Sequence, residues 1–192
     1  MTEREPREPG TVWAEKVIAL IDRLDHSGLP CALGGAIAMN YHREPRSTLD
    51  IDINIFLPPD GREAVLEQLA DLTGIDADER ARLSGAIERD GQVRALWDAT
   101  HVDLFFADTE FHDSMAQRVE YRPFVDRQAP VLSIEDLLIC KVLFDRPKDW
   151  VDIEAVVEHE RGQLDVSYLA SWLRRALPDD DPRVARLGEL LG

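Results

Sequence analysis

Apolar residues recur at helical spacing from Thr11 onward. Val12, Trp13, Val17, Ile18, Leu20, Ile21 and Leu24 form one stripe, closed by Gly28 and Pro30. The pattern predicts a first helix, and the charged, proline-bearing residues 1–9 ahead of it read as a disordered arm. A short run, Cys31-Ala32-Leu33, then ends in Gly34-Gly35 and leads into a helical stretch from Ala36 to Tyr41. The order there is strand, glycine pair, helix. From Thr48 to Phe56 the chain alternates with period two. Leu49, Ile51, Ile53 and Ile55 fall on one face, and Thr48, Asp50, Asp52 and Asn54 on the other. Pro58-Pro59-Asp60-Gly61 stops this strand, and Glu63 to Leu72 reads as a helix.

Between Thr73 and Asp90 a polar segment carries a weaker helical pattern. Gln92 to Trp97 and His101 to Phe106 are predicted strands, with another around Val119 to Val125. The character changes at Ser133. From there to Leu191 the pattern is helical, broken at Pro147, Gly162 and Pro178-Asp179-Asp180-Asp181-Pro182, and Ser133 with Asp136 reads as an N-capping box with Asp where Glu is commoner. The expected organisation is therefore an arm over 1–9, an α/β (α+β) core over 10–131 with a mixed sheet and flanking helices, and a C-terminal helical part over 132–192 that completes the active site. At 192 residues this is one α/β-sized domain with a small appendage, at about 150 residues per domain.

Composition narrows the function classes. Apolar residues make up 44% and charged residues 31%, enough for a packed core. Twenty-two basic residues against 38 acidic ones give a formal charge of −16, which repels phosphate backbones and anionic membranes on average but leaves room for a local basic site. No apolar run approaches the roughly 18 residues of a membrane span, and the charged start shows no secretory h-region. Cys31 and Cys140 both lie in apolar stretches, as expected for buried thiols of a reduced, cytoplasmic protein.

The familiar loop and elbow motifs are absent. There is no G-x-G-x-x-G, no G-x-x-x-x-G-K and no G-x-S-x-G, and the five histidines show no H-E-x-x-H spacing. What remains is carboxylate chemistry. Asp50 and Asp52 project from one strand face, about 6.5–7 Å apart at their Cα atoms, close enough to share a hard cation. A solvated edge strand would explain an isolated D-x-D equally well, but the opposite face here is Leu-Ile-Ile-Ile, and two adjacent carboxylates on a packed strand need a neutralising partner. Asp103, on a second apolar strand, can join them if the strands are neighbours. Gly34-Gly35 offers a side-chain-free approach for phosphate, or else simply a tight turn. Only three of the 22 basic residues are lysines, and Lys141 lies on an apolar helix; it either reaches a phosphate or snorkels head-out to water.

Gly-Gly, a short helix, Asp-x-Asp on a strand and a third Asp on a later strand resemble the nucleotidyltransferase superfamily of the DNA-polymerase-β type. Lys141 on a helix, followed by Lys148-Asp149-Trp150-Val151-Asp152-Ile153, is similar to the AbiE-type nucleotidyltransferase toxins. The resemblance covers about residues 31–156. It implies that Gly34 and Gly35 touch nucleotide phosphates, that Asp50 and Asp52 bind Mg²⁺ (or Mn²⁺), and that Asp103 is the third carboxylate. It further implies phosphate contact for Lys141 and active-site support from Asp149, with Arg46 at the nucleotide. The second glycine stands where the superfamily often has serine, and fourteen residues separate Gly35 from Asp50, more than is usual.

The activity so implied is transfer of a nucleoside monophosphate from an NTP such as ATP to a hydroxyl, with tRNA or protein as acceptor and an antitoxin as partner. The competing readings are a non-catalytic nucleotide-binding or regulatory module, and a protein-nucleotidylating (AMPylation-type) enzyme. A metal-dependent phosphodiesterase would bring suitably spaced histidines, which this chain lacks. Arg43, Arg46, Arg174 and Arg175 are the candidate arginines for an RNA contact.

Overall fold

A computed structural model describes residues 9–192, with side chains from Val12 onward. The arm expected over 1–9 thus lies, except for Pro9, outside the described residues. The first helix, α1 (Pro9–His26), buries Val17, Leu20, Ile21 and Leu24, the predicted stripe. Strand β1 (Cys31–Leu33) and helix α2 (Gly35–Met39) flank Gly34, followed by strand β2 (Ile51–Ile55) and helices α3 (Arg62–Thr73) and α4 (Ala77–Asp90). Strands β3 (Gln92–Trp97) and β4 (Thr100–Phe106) form a hairpin; helix α5 (Glu110–Gln117) leads to a second hairpin, β5 (Glu120–Phe124) and β6 (Arg127–Val131). Helices α6 (Ile134–Phe144), α7 (Pro147–His159), α8 (Val166–Ala176) and α9 (Pro182–Leu191) complete the chain, with breaks where proline and glycine predicted them.

The six strands make one mixed sheet in the order β3-β4-β2-β1-β6-β5. Strand β2 lies parallel to β4 and antiparallel to β1, while β3 runs antiparallel to β4. Ile51, Ile53 and Ile55 of β2 and Val102, Leu104 and Phe106 of β4 are buried in the core shared with α1 and α3. Their alternates, Asp52, Asn54, Asp103 and Phe105, turn to the other side and line a cleft.

Two expectations need correction. The strand predicted from Thr48 begins only at Ile51, and Leu49, placed on the core face by alternation, is 66% exposed. Ladder pairing is the cause: β2 first meets β4 at Ile51↔Val102, and no strand pairs with residues 48–50. Helix α5 and strand β6 carried no sequence expectation. Strand β6 holds Pro130 and Arg127, residues that weaken a strand reading, and its pairing with β1 is confined to Leu33↔Val131, so the missing proline N–H costs little. The capping box at Ser133 is also only half made. Ser133 Oγ accepts from the Asp136 N–H (3.3 Å), but the Asp136 carboxylate accepts from Ser133 Oγ (2.6 Å) and the Tyr168 hydroxyl (2.6 Å), tying α8 to α6. Both cysteines are free, with thiols pushed up to about 12, chiefly by burial.

Candidate active site

Sheet order brings the predicted aspartates together. Asp52 of β2 stands directly opposite Asp103 of β4, and Asp50 lies just before β2 on the same cleft. Asp52 is the most confined of the three. Its side chain makes no hydrogen bond or ion pair among the described residues, and burial, then Asp103 and Asp50, push its carboxyl up to about 6. Asp50 is half-exposed and lies 3.3 Å from His101 Nδ1.

Gly34 and Gly35 explain how Asp52 is held. The Gly34 N–H donates to the Asp52 carbonyl (2.9 Å), locking the end of β1 to β2. Gly35 has φ +50°, and a Cβ there would collide with Asp52 Oδ2 while lying only 3.0 Å from Asp52 Cβ. Only glycine gives both the left-handed backbone and the room. A serine, common elsewhere in the superfamily at this place, does not fit this carboxylate position.

One member of the site carried no sequence signal. Arg94 of β3 pairs across the ladder with Asp103 and donates to both its oxygens, at 2.7 and 2.6 Å; its Nη2 is 3.9 Å from Asp50. The neutralising base that the aspartates require is thus supplied, for Asp103, by a neighbouring strand. Only the hairpin register could have revealed it.

Lys141 is neither solvated nor snorkelling. Its Nζ, buried at the cleft floor, donates to Asp152 (2.6 Å) and Asp149 (3.1 Å). Asp149 is fully buried and also accepts from Arg146 Nε (2.6 Å), Nη2 (3.1 Å) and backbone N–H (3.3 Å). Burial opposes its ionisation, yet the Arg146 and Lys141 contacts win and hold it below the carboxylate range. Asp152 is held low in the same way, by Lys141, Arg43 and Arg46 against burial. Arg46 is half-exposed at the cleft, 3.5 Å from Asp152. Arg43, expected as a surface contact, is instead nine-tenths buried, with Nη2 3.3 Å from Asp152. The other two candidates, Arg174 and Arg175, do not line this cleft, and Arg175 ion-pairs with Glu110 and stacks 4.0 Å from the Trp172 ring.

The cleft has a volume of about 720 Å³. Its chemistry is split: aspartates on the sheet side, and on the α6–α7 side four cations (Arg46, Lys141, Arg146, Lys148) around two carboxylates, with Arg43 buried behind Asp152. That arrangement can hold a cation and a polyanion side by side. As the side chains stand, no three His, Cys, Asp or Glu residues among those described converge on a metal position, because Arg94 takes Asp103. The unpaired Asp52 carboxylate, with Asp50 beside it, nevertheless suits a hard divalent cation, whose ligands are oxygens.

The fold and motifs have counterparts. The family model for the nucleotidyl transferase AbiEii toxin of type IV toxin–antitoxin systems matches residues 19–187. No curated protein gives a significant match. Among solved structures, the crystal structure of ANT(2″)-Ia in complex with adenylyl-2″-tobramycin is 15% identical with a TM-score of 0.60, covering 86% of this chain and 98% of that one. The solution structure of the antibiotic-resistance factor ANT(2″)-Ia is 16% identical with a TM-score of 0.58, covering 93% and 96%. At such identities the likeness establishes a shared fold and nothing about substrate.

Proposed function

The chain belongs to the AbiEii family of nucleotidyltransferase toxins, and from that premise we propose a Mg²⁺-dependent transfer of NMP from an NTP to a hydroxyl at an RNA end, most plainly that of a tRNA. That the chain is a nucleotidyltransferase, and that its family pairs with an antitoxin, follow from membership; the metal, the residue roles and the acceptor are our reading. The observation that carries it is Asp52, an unpaired, partly buried carboxylate seated against Gly35 and facing a cation-rich wall.

In this reading Asp50 and Asp52 would hold the metal, and Asp103, paired with Arg94, would be the third carboxylate. When bound, Mg²⁺ neutralises the triphosphate and acidifies the attacking hydroxyl. The protein's own part is positioning. Gly34 and Gly35 seat Asp52, with Gly35 alone of the pair lining the cleft, while Lys141 of α6, Lys148 of α7 and Arg46 of the segment before β2 face the β- and γ-phosphates. Asp149, at the cleft lining, fixes Lys141. The acceptor oxygen bonds to the α-phosphorus as the bond to the β-phosphate oxygen breaks, and pyrophosphate leaves along the cation-rich wall. The three intact aspartates support an enzyme over a decayed binding module.

The test incubates the protein with each α-labelled NTP, Mg²⁺ and cell extract. Label should appear on RNA, and Asp50→Asn and Asp52→Asn should each abolish it with the fold intact. Full activity in both variants ends the metal reading. Label on a protein band with none on RNA replaces the acceptor by protein.

A further inference from the structure

Beside the carboxylate cleft lies a second cavity of about 490 Å³, within the roughly 300–1,000 Å³ usual for small-molecule sites. The two share a junction formed by Asp90, Gln92, Phe105, His112, Cys140 and Phe144. Resting on the nucleotidyltransferase reading, we propose that this second cavity takes the nucleobase of the donor NTP.

Its walls are aromatic. Phe105 and Phe144 meet at the junction with centroids 6.2 Å apart, and Phe111 and Trp172 form the back at 5.2 Å. Flat π-faces of this kind bind any base by stacking. Phe144 is 46% exposed, so a face remains for a ligand. Arg146 sits 4.8 Å from the same ring while holding Asp149, which joins the stacking end to the phosphate end of the site.

Distance and charge set the orientation. Phe105 lies two residues beyond Asp103 on the same face of β4, about 6.5–7 Å away, a span a ribose bridges. Asp90, Asp108 and Glu110 outnumber Arg175 in the lining, so phosphates are repelled and an uncharged base with exocyclic amines is not. The cations of the first cleft hold the opposite end. Edge-reading groups are present: the Gln92 amide, and His112, kept neutral chiefly by burial. His112 Nδ1 is engaged by the Asp108 N–H (3.3 Å), the Thr109 hydroxyl (2.8 Å) and the Asp108 carboxylate (3.4 Å), while its Nε2 has no partner among the described residues.

Four nucleosides (adenosine, guanosine, cytidine, uridine), inorganic triphosphate and the four NTPs are titrated with Mg²⁺ against the full chain, by calorimetry and tryptophan fluorescence. At least one nucleoside should bind, compete with its own NTP, and change an emission that Trp172→Phe removes. Phe144→Ala, and independently Gln92→Ala on the exposed strand β3, should weaken that nucleoside and its NTP, the first by about tenfold, with inorganic triphosphate unaffected. Lys148→Ala should do the reverse, weakening triphosphate and NTP but not nucleoside. Unchanged NTP affinity in both pocket variants, with triphosphate still bound, overturns the inference and leaves the enzyme reading intact. Nucleoside that stays bound under saturating NTP also overturns it, because the pocket then serves the acceptor. If neither triphosphate nor any NTP binds the parent chain, the nucleotidyltransferase reading falls and the inference with it.

Discussion

Asp52 holds its proton more tightly in the folded chain than in the unfolded one, so its ionisation works against folding. Its pKa rises from an ordinary 3.8 to about 6. Below pH 3.8 both states are protonated and nothing is lost. As pH rises toward 6 the unfolded chain deprotonates first, and stability falls by at most about 3 kcal/mol at 1.36 kcal/mol per pKa unit. Asp52→Asn removes that penalty. The metal-free variant should therefore match the parent near pH 4 and exceed it in urea denaturation above pH 6, while losing transfer. A variant no more stable than its parent at pH 7.5 would show that Asp52 carries no electrostatic load.

At the scale of elements, two pairings decide how the site behaves. Strands β3 and β4 place Arg94 opposite Asp103, so a guanidinium occupies the carboxylate that a metal would use. Arg94→Gln should free it, and calorimetry should find Mn²⁺ bound several-fold more tightly. Affinity that does not rise means Asp103 takes no share of the metal. Helices α6 and α7 are joined through Lys141, Asp149 and Asp152, all buried. Lys141→Met strands two carboxylates, at a cost of about 3–5 kcal/mol less whatever Arg43, Arg46 and Arg146 recover. This variant should lose stability as well as NTP affinity. Because both aspartates titrate below their ordinary pKa, the parent's stability from them is full above about pH 4 and is lost as pH falls through the lowered values. Urea midpoints of variant and parent should thus converge in acid.

For the whole molecule, the −16 charge and the basic wall of one cleft act at different ranges. Net charge discourages approach of a polyanion, and the local cations reward only a correctly seated one. Arg43 is buried, and on the α6–α7 wall of the cleft Arg46, Arg146 and Lys148 are the exposed cations that meet RNA phosphates. Three contacts predict a slope of log K against log[salt] of about −2 to −3. Filter binding of RNA from 50 to 300 mM salt checks it. A slope steeper than −5 would demand a basic surface that this cleft does not contain. No helix among the described residues is long and apolar enough to cross a membrane.

Periodicity alone determined most of the elements, because core-facing positions in α1, β2, β4 and the helices after Ser133 must repeat at 3.6 or 2 residues to be buried. Spacing also marked Asp50 and Asp52 as carboxylates in need of a neutralising partner, and the resemblance to the nucleotidyltransferases joined them with Gly34, Gly35, Asp103 and Lys141 as a set. Tertiary structure decided the rest. Strand order, not alternation, started β2 only at Ile51 and left Leu49 in solvent, for a strand lasts only as long as its hydrogen-bonding partner. Register supplied Arg94 to Asp103, and packing of α7 on α6 turned Lys141 from a lone cation into the centre of a buried network. The Gly35 requirement emerged only when the Asp52 carboxylate was seen to occupy the space of its missing Cβ. Each of these joins residues far apart in the chain, and a local pattern holds no record of which distant groups will face each other.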